Sequence, residues 1–188
     1  MPLTKIKSLG ITDGTIVNAD INASAAIDAS KLSGVGISQA DQWRLTTNIA
    51  DVSTEAVISS NLERVDNTGF GYIGTGMTQS SGVFTFPSTG YYYINANVTY
   101  TQDSSNADYG FIVIQTTTNN SSYINVAYGS ATPLTSRYSS GSIDYILDVT
   151  DTANVKIKFS VSAQASSDVV GNTSFNQTNF TFIRLGDT

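Results

Sequence analysis

The side chains that could act chemically are few and scattered. Carboxylates gather at Asp144, Asp148 and Asp151, and again at Asp103 and Asp108. Such groups can ligate a hard cation such as calcium or share the work of glycoside hydrolysis. A calcium loop, however, spaces its ligands tightly around a glycine, and no D-x-D-x-D-G stretch is present; the acidic residues fall on predicted turns, where solvated carboxylates are ordinary. None is marked out by its neighbours as acid or nucleophile. The chain contains no His and no Cys. Their absence removes the Ser-His-Asp and Cys-His triads, the usual zinc ligands, any disulfide, and the side chain that most often transfers protons near neutral pH. The chain therefore reads as a non-enzyme with no catalytic residues, metal site or cofactor. The remaining chemistry is aromatic. Tyr72, Tyr109, Tyr123, Tyr128 and Tyr138 could stack on sugar rings, although Tyr in a strand more often packs with its hydroxyl at the rim. Glycan contacts are expected from Tyr109, Tyr128 and Tyr138, around the Gly/Ser/Tyr-rich loops at 104–108 and 130–140.

Composition narrows the partners. Of 188 residues, 40% are hydrophobic and 13% charged, which allows one ordinary domain with a real core whose solubility rests on Ser, Thr and Asn. The net charge is -6. No Lys/Arg cluster with interleaved aromatics provides the electrostatic footprint of a nucleic-acid groove. No run approaches the roughly 20 apolar residues of a membrane span, and MPLTKIKSLGITDG holds no apolar stretch of signal-peptide length. Neither nucleic acid nor membrane is expected as a partner.

Two kinds of segment must position these residues. Residues 1–34 lack aromatics and place Ile11, Ile16, Ile21, Ile27 and Leu32 at intervals of 5, 5, 6 and 5. That period suits neither helix nor strand, and each apolar residue is too isolated to build a core, so the segment needs a partner surface. Extended, it would reach roughly 110 Å. It reads as an attachment arm, with 35–42 as linker and 43–188 as an all-β domain. Short alternating runs bounded by Gly, Asn, Asp and Ser predict strands at 43–49, 69–73, 82–86, 91–100, 109–116, 123–129, 142–147, 155–161 and 179–185. In 91–100, Tyr92, Ile94, Ala96, Val98 and Tyr100 share one face; Val155, Ile157, Phe159 and Val161 do so in 155–161. Two strands are apolar on both faces: Phe111 and Val113 oppose Ile112 and Ile114, and Phe180 and Phe182 oppose Ile183 and Leu185. The second face needs a cover, and in a one-domain sandwich the natural cover is another copy of the chain.

GVFTFPSTGYYYINANVTY at 82–100, LDVTDTANVKIKF at 147–159 and SFNQTNFTFIRL at 174–185 resemble, in that order, segments of the complement component one q and tumour-necrosis-factor-like knobs. The resemblance implies a ten-stranded jelly roll that assembles as a homotrimer around a threefold axis. It implies Tyr91, Tyr93, Phe111, Phe180 and Phe182 at or near that axis. The arm, with its NADI, AAI and SKL phrases, resembles segments that precede such knobs in structural proteins of tailed bacteriophages, notably marine and cyanobacterial ones. Together these imply a virion surface protein, assembled in the host cytoplasm and held to the major capsid protein or another virion protein through Ile11, Ile16, Ile21, Ile27 and Leu32. Capsid decoration is the role expected first. A short tail or head fibre that binds a host-surface glycan is the alternative, and a cellular adhesin or secreted lectin-like protein comes after both.

Overall fold

Alternation of period two decides which side chains enter the space between the sheets. The computed structural model describes residues 21, 36–102, 108–133, 135–164 and 167–188. Met1–Gly36 and Ile37–Thr188 are separate units. Ile11, Ile16, Ile27 and Leu32 lie outside the described residues, as does the expected extended course of the arm; Ile21 is exposed.

Among the described residues the chain is all-β: β1 (Ala40–Leu45), β2 (Ala56–Val57), β3 (Leu62–Arg64), β4 (Thr78–Ser80), β5 (Val83–Thr85), β6 (Gly90–Gln102), β7 (Gly110–Thr117), β8 (Ile124–Ala131), β9 (Ser139–Val149), β10 (Lys156–Ala163), β11 (Ser167–Val169) and β12 (Asn179–Gly186). These form two antiparallel six-stranded sheets. In the first, β9 pairs with one edge of β6, while β11 and β12 share the other; β12 then pairs with β1, and β1 with β3. The second runs β4-β5-β10-β7-β8, with β2 also on β10. The strand count of twelve replaces the expected ten. Four strands of two or three residues, β2, β3, β4 and β11, account for those missed in the sequence. The strand expected at 69–73 is absent: Gly69, Gly74 and Gly76 adopt positive φ, and the segment pairs with a sheet only through a bridge between Ile73 and Ala40, while the Tyr72 ring packs against Arg64 of β3. β1 begins at Ala40, inside the expected linker.

Rings lock the two sheets together. Phe84 of β5 sits edge-on to Trp43 and Phe159 at 5.6 and 5.7 Å and tilts against Phe182 at 5.1 Å. Phe159 stacks on Phe180 at 4.1 Å. Aromatic contacts of this kind add about 0.5–1.5 kcal/mol each to the area they bury. Tyr92, Ile94, Ala96, Val98 and Tyr100 all point into this core, as their alternation requires. Asp41 also points inward, opposite Phe182, and its carboxylate is fully used: it accepts from Trp43 Nε1 at 3.0 Å, the Met77 backbone N–H at 2.7 Å and Arg64 Nε at 3.0 Å. A buried charge held this way avoids the desolvation penalty of an unpaired one. At the far corner the sheets close tightly, for a side chain at Gly129 would strike Ile143.

Phe180→Ala is expected to lower the unfolding free energy by about 3–5 kcal/mol, read from the urea midpoint at unchanged m-value. A second expectation concerns alkali. Tyr100 is fully buried, its hydroxyl donates to the Phe111 carbonyl, and burial raises its pKa well above the ordinary 10.0. The folded chain thus keeps this proton after the unfolded chain has released it, so its contribution is complete below pH 10 and declines as pH rises beyond it. Tyr100→Phe should be less stable at pH 8 by about 1 kcal/mol and show a shallower loss of stability above pH 10.

Candidate association face

Because the rings occupy the interior, the opposite side chains of β6, β9, β12 and β1 form the outer face of the first sheet. One row of that face is apolar from edge to edge. Ile146 of β9 pairs with Tyr93 of β6, Tyr93 with Ile183 of β12, Ile183 with Ala40 of β1, and Ala40 with Ile73. Ile146 and Ile73 are 56% and 48% exposed, and Tyr91 and Leu185 extend the patch, also exposed. Ala40, Tyr93 and Ile183, in the middle of the row, are half-buried. A shallow cavity of about 190 Å³ opens beside the row, lined by Ala40, Asp41, Gln42, Phe70, Gly71, Thr181 and Ile183. It could take an aliphatic or aromatic side chain from a neighbour.

The neighbouring rows differ in kind. Asp144, Asn95, Thr181 and Gln42 form the next, and Ser142, Asn97, Asn179 and Arg44 the one after. Most of these groups already have partners within the sandwich. Gln42 Nε2 donates to Thr181 at 2.8 Å, Asn95 Nδ2 to Ser142 at 3.0 Å, and Asn97 Nδ2 to the Gln177 carbonyl at 2.8 Å. Arg44 is fully buried under Glu63 and Asp66, at 2.7 and 2.6 Å, with Asn67 as a further acceptor. The face is therefore divided: a polar half, most of whose groups are already hydrogen-bonded, and an apolar band whose exposed area leaves water only when another surface meets it.

The five residues expected at an axis do not come together. Tyr91 and Tyr93 lie on this outer face. Phe180 and Phe182 do not: at 0% and 1% exposure they are core residues of the sandwich, which corrects the expectation. The reason is the choice between two apolar faces of β12, in which the larger rings fill the inter-sheet space and leave Ile183 and Leu185 outside. Phe111 is on the outer face of the other sheet, half-buried and stacked on Tyr109 at 4.8 Å. Of the residues considered for glycans, Tyr109 and Tyr128 share that second face, whereas Tyr138 is exposed on the connection from β8 to β9. Ile146 and Ile73 were not singled out in the sequence. Ile146 carries a signal, since Ile143, Tyr145 and Leu147 enclose it in an otherwise alternating run.

No family model matches the chain, and no curated protein sequence matches it. Solved structures do. Eiger TNF from S. frugiperda superposes with a TM-score of 0.57 at 10% identity, over 79% of this chain and 93% of that one. PRD1 vertex protein P5 gives 0.51 at 17% identity, over 80% and 99%. The globular domain of zebrafish complement 1qA gives 0.50 at 10% identity, over 80% and 99%. At such identities the likeness is one of fold: the described sandwich is a jelly roll of the kind these proteins share.

Placing a charge in the apolar row tests its role. Tyr93→Asp and Ile146→Lys are expected to retain the β-sheet circular dichroism of the parent and to sediment as smaller species. Unchanged sedimentation of both would remove the row from any interface.

Proposed function

We infer that the chain is a non-enzymatic, homotrimeric surface protein of a bacteriophage particle, in which the sandwich projects and residues 1–34 attach it. The observation that carries this reading is the apolar row across the first sheet, exposed at Ile146, Ile73, Tyr91 and Leu185. Heterologous packing of identical copies closes into a ring when the rotation permits, and a jelly-roll sheet with one apolar outer face is suited to that closure. The likeness to a phage vertex protein supports a place on a virion. The spaced Ile11, Ile16, Ile21, Ile27 and Leu32 supply docking side chains too sparse to fold on their own, as the reading requires of an arm that meets the major capsid protein or another virion protein.

Capsid decoration is the first role within this reading, because the spaced apolar residues of 1–34 suit contacts laid across neighbouring subunits of a particle. A short fibre bearing a glycan-binding knob is the second reading, favoured by the aromatic and polar outer face of the second sheet.

Light scattering of the purified chain at micromolar concentration should give the mass of three copies; a single-copy mass would refute the trimer. Deleting residues 1–34 should leave a folded trimer that no longer co-sediments with particles, and retained co-sedimentation would overturn the arm's role. Copy number separates the two roles, with hundreds per particle expected for decoration.

A further inference from the structure

The outer face of the second sheet carries a continuous hydrogen-bonded chain that crosses three strands, β10, β7 and β8. Glu55, on the segment leading into β2, places its carboxylate over β10 and β7: it accepts from the Ser160 hydroxyl at 2.6 Å and from Gln115 Nε2 at 3.2 Å. Gln115 also donates to Asn125 Oδ1 of β8 at 2.7 Å, and Asn125 Nδ2 donates to the Tyr128 hydroxyl at 2.6 Å. Each side chain is thereby held in one orientation at a solvent-facing surface, although Glu55, Asn125 and Tyr128 are all exposed. Gln115 Oε1 is buried with no hydrogen-bond partner, so the chain is not closed on itself.

Aromatic rings flank this chain on both sides. Tyr128 is 62% exposed and pairs with Val113, while Phe111, one step along β7, pairs with Ser130 and carries the stacked ring of Tyr109. Diagonal neighbours on a sheet face lie about 7–8 Å apart, which puts Phe111 within reach of the Tyr128 ring. On the other side Lys158, paired with Gln115, sets its ammonium 4.1 Å from the centre of the Tyr123 ring. From Phe111 to Gln115 the strand advances about 13 Å. A flat strip of that length, with rings at both ends and oriented amide and carboxylate groups between them, matches the two demands of a pyranose chain: an apolar ring face to cover and vicinal hydroxyls to bond.

We propose that this strip, centred on Glu55, Gln115, Asn125 and Tyr128, is a binding site for a neutral oligosaccharide. Neutrality follows from the charges. The exposed Glu55 carboxylate at the centre of the strip accepts from paired hydroxyls and repels a sulfated or carboxylated sugar, while the Lys158 ammonium keeps its charge but is turned over the Tyr123 ring at the end of the strip. Hydrogen bonds from sugar hydroxyls to a pre-oriented carboxylate are charge-assisted and lose little side-chain entropy on binding. The site deepens the glycan-binding reading, but it lies on the sheet opposite the apolar row and uses residues of a single chain, so it does not depend on trimer formation.

The test uses the full-length protein, isotope-labelled, titrated with linear hexasaccharides of glucose, mannose and N-acetylglucosamine, with a heparin hexasaccharide as the acidic counterpart. At least one neutral probe should shift the side-chain amide signals of Gln115 and Asn125, and the acidic probe should not. Tyr128→Ala and Glu55→Gln should each weaken that binding by about tenfold or more, a change of about 1.4 kcal/mol. Tyr138→Ala, on the neighbouring connection, should leave it unchanged. Tyr93→Asp should bind as the parent does even if it dissociates, which keeps this outcome separate from that of the trimer. The proposal is overturned if no neutral probe shifts these signals at millimolar concentration, if the acidic probe binds as well, or if binding survives Tyr128→Ala.

Discussion

The packing of Phe84 among Trp43, Phe159, Phe180 and Phe182 is the constraint on which every outward surface depends. Side chains alternate along a strand without exception unless a bulge intervenes, so committing Phe180 and Phe182 to the interior commits Thr181 and Ile183 to the exterior. The same rings place Asp41 inside, opposite Phe182, and so require Arg64 to balance its charge and the Trp43 and Met77 N–H groups to hydrogen-bond it. A one-residue slip of β12 would bury polar Thr181 and expose two phenyl rings. The outer apolar row is thus a by-product of where the largest rings fit.

Much of the fold was legible where one face of a strand was apolar and the other was not. Tyr92 to Tyr100 and Ile157 to Val161 are inward at the positions their alternation gives. Legibility failed where both faces are apolar, as in Phe180-Thr181-Phe182-Ile183, because period two states that the faces differ but not which is inside. Ring volume decides that, through contacts with residues about a hundred positions earlier. It failed again at 69–73, where Phe70 and Tyr72 look strand-like but the glycines on either side turn the chain away. Strands of two or three residues, such as Ala56–Val57, are too short to show any period. The polar chain through Glu55, Gln115, Asn125 and Tyr128 was invisible for another reason: Glu55 and Ser160 are 105 positions apart and meet only through sheet register.

The two sheets present unlike surfaces to the outside. The first offers an apolar band bordered by polar rows whose groups are mostly hydrogen-bonded already, a composition suited to contact with a copy of the same chain. The second offers oriented polar groups between aromatic rings, and it faces away from the first. A protein built this way can devote one side to its own assembly and leave the other free for a ligand, without the two competing for the same residues.

The placement of β1 bears on how such a protein would withstand pulling. Ala40–Arg44 is laddered by β12 on one side, Trp43–Leu45 by β3 on the other, and the strand is pinned from within by the Asp41 carboxylate. Tension entering through residue 37 runs along this strand, parallel to both neighbours. Its hydrogen bonds are then loaded in shear, all together, where peeling from a sheet edge would break them one by one. The point at which the chain enters the sandwich is accordingly among its mechanically strongest.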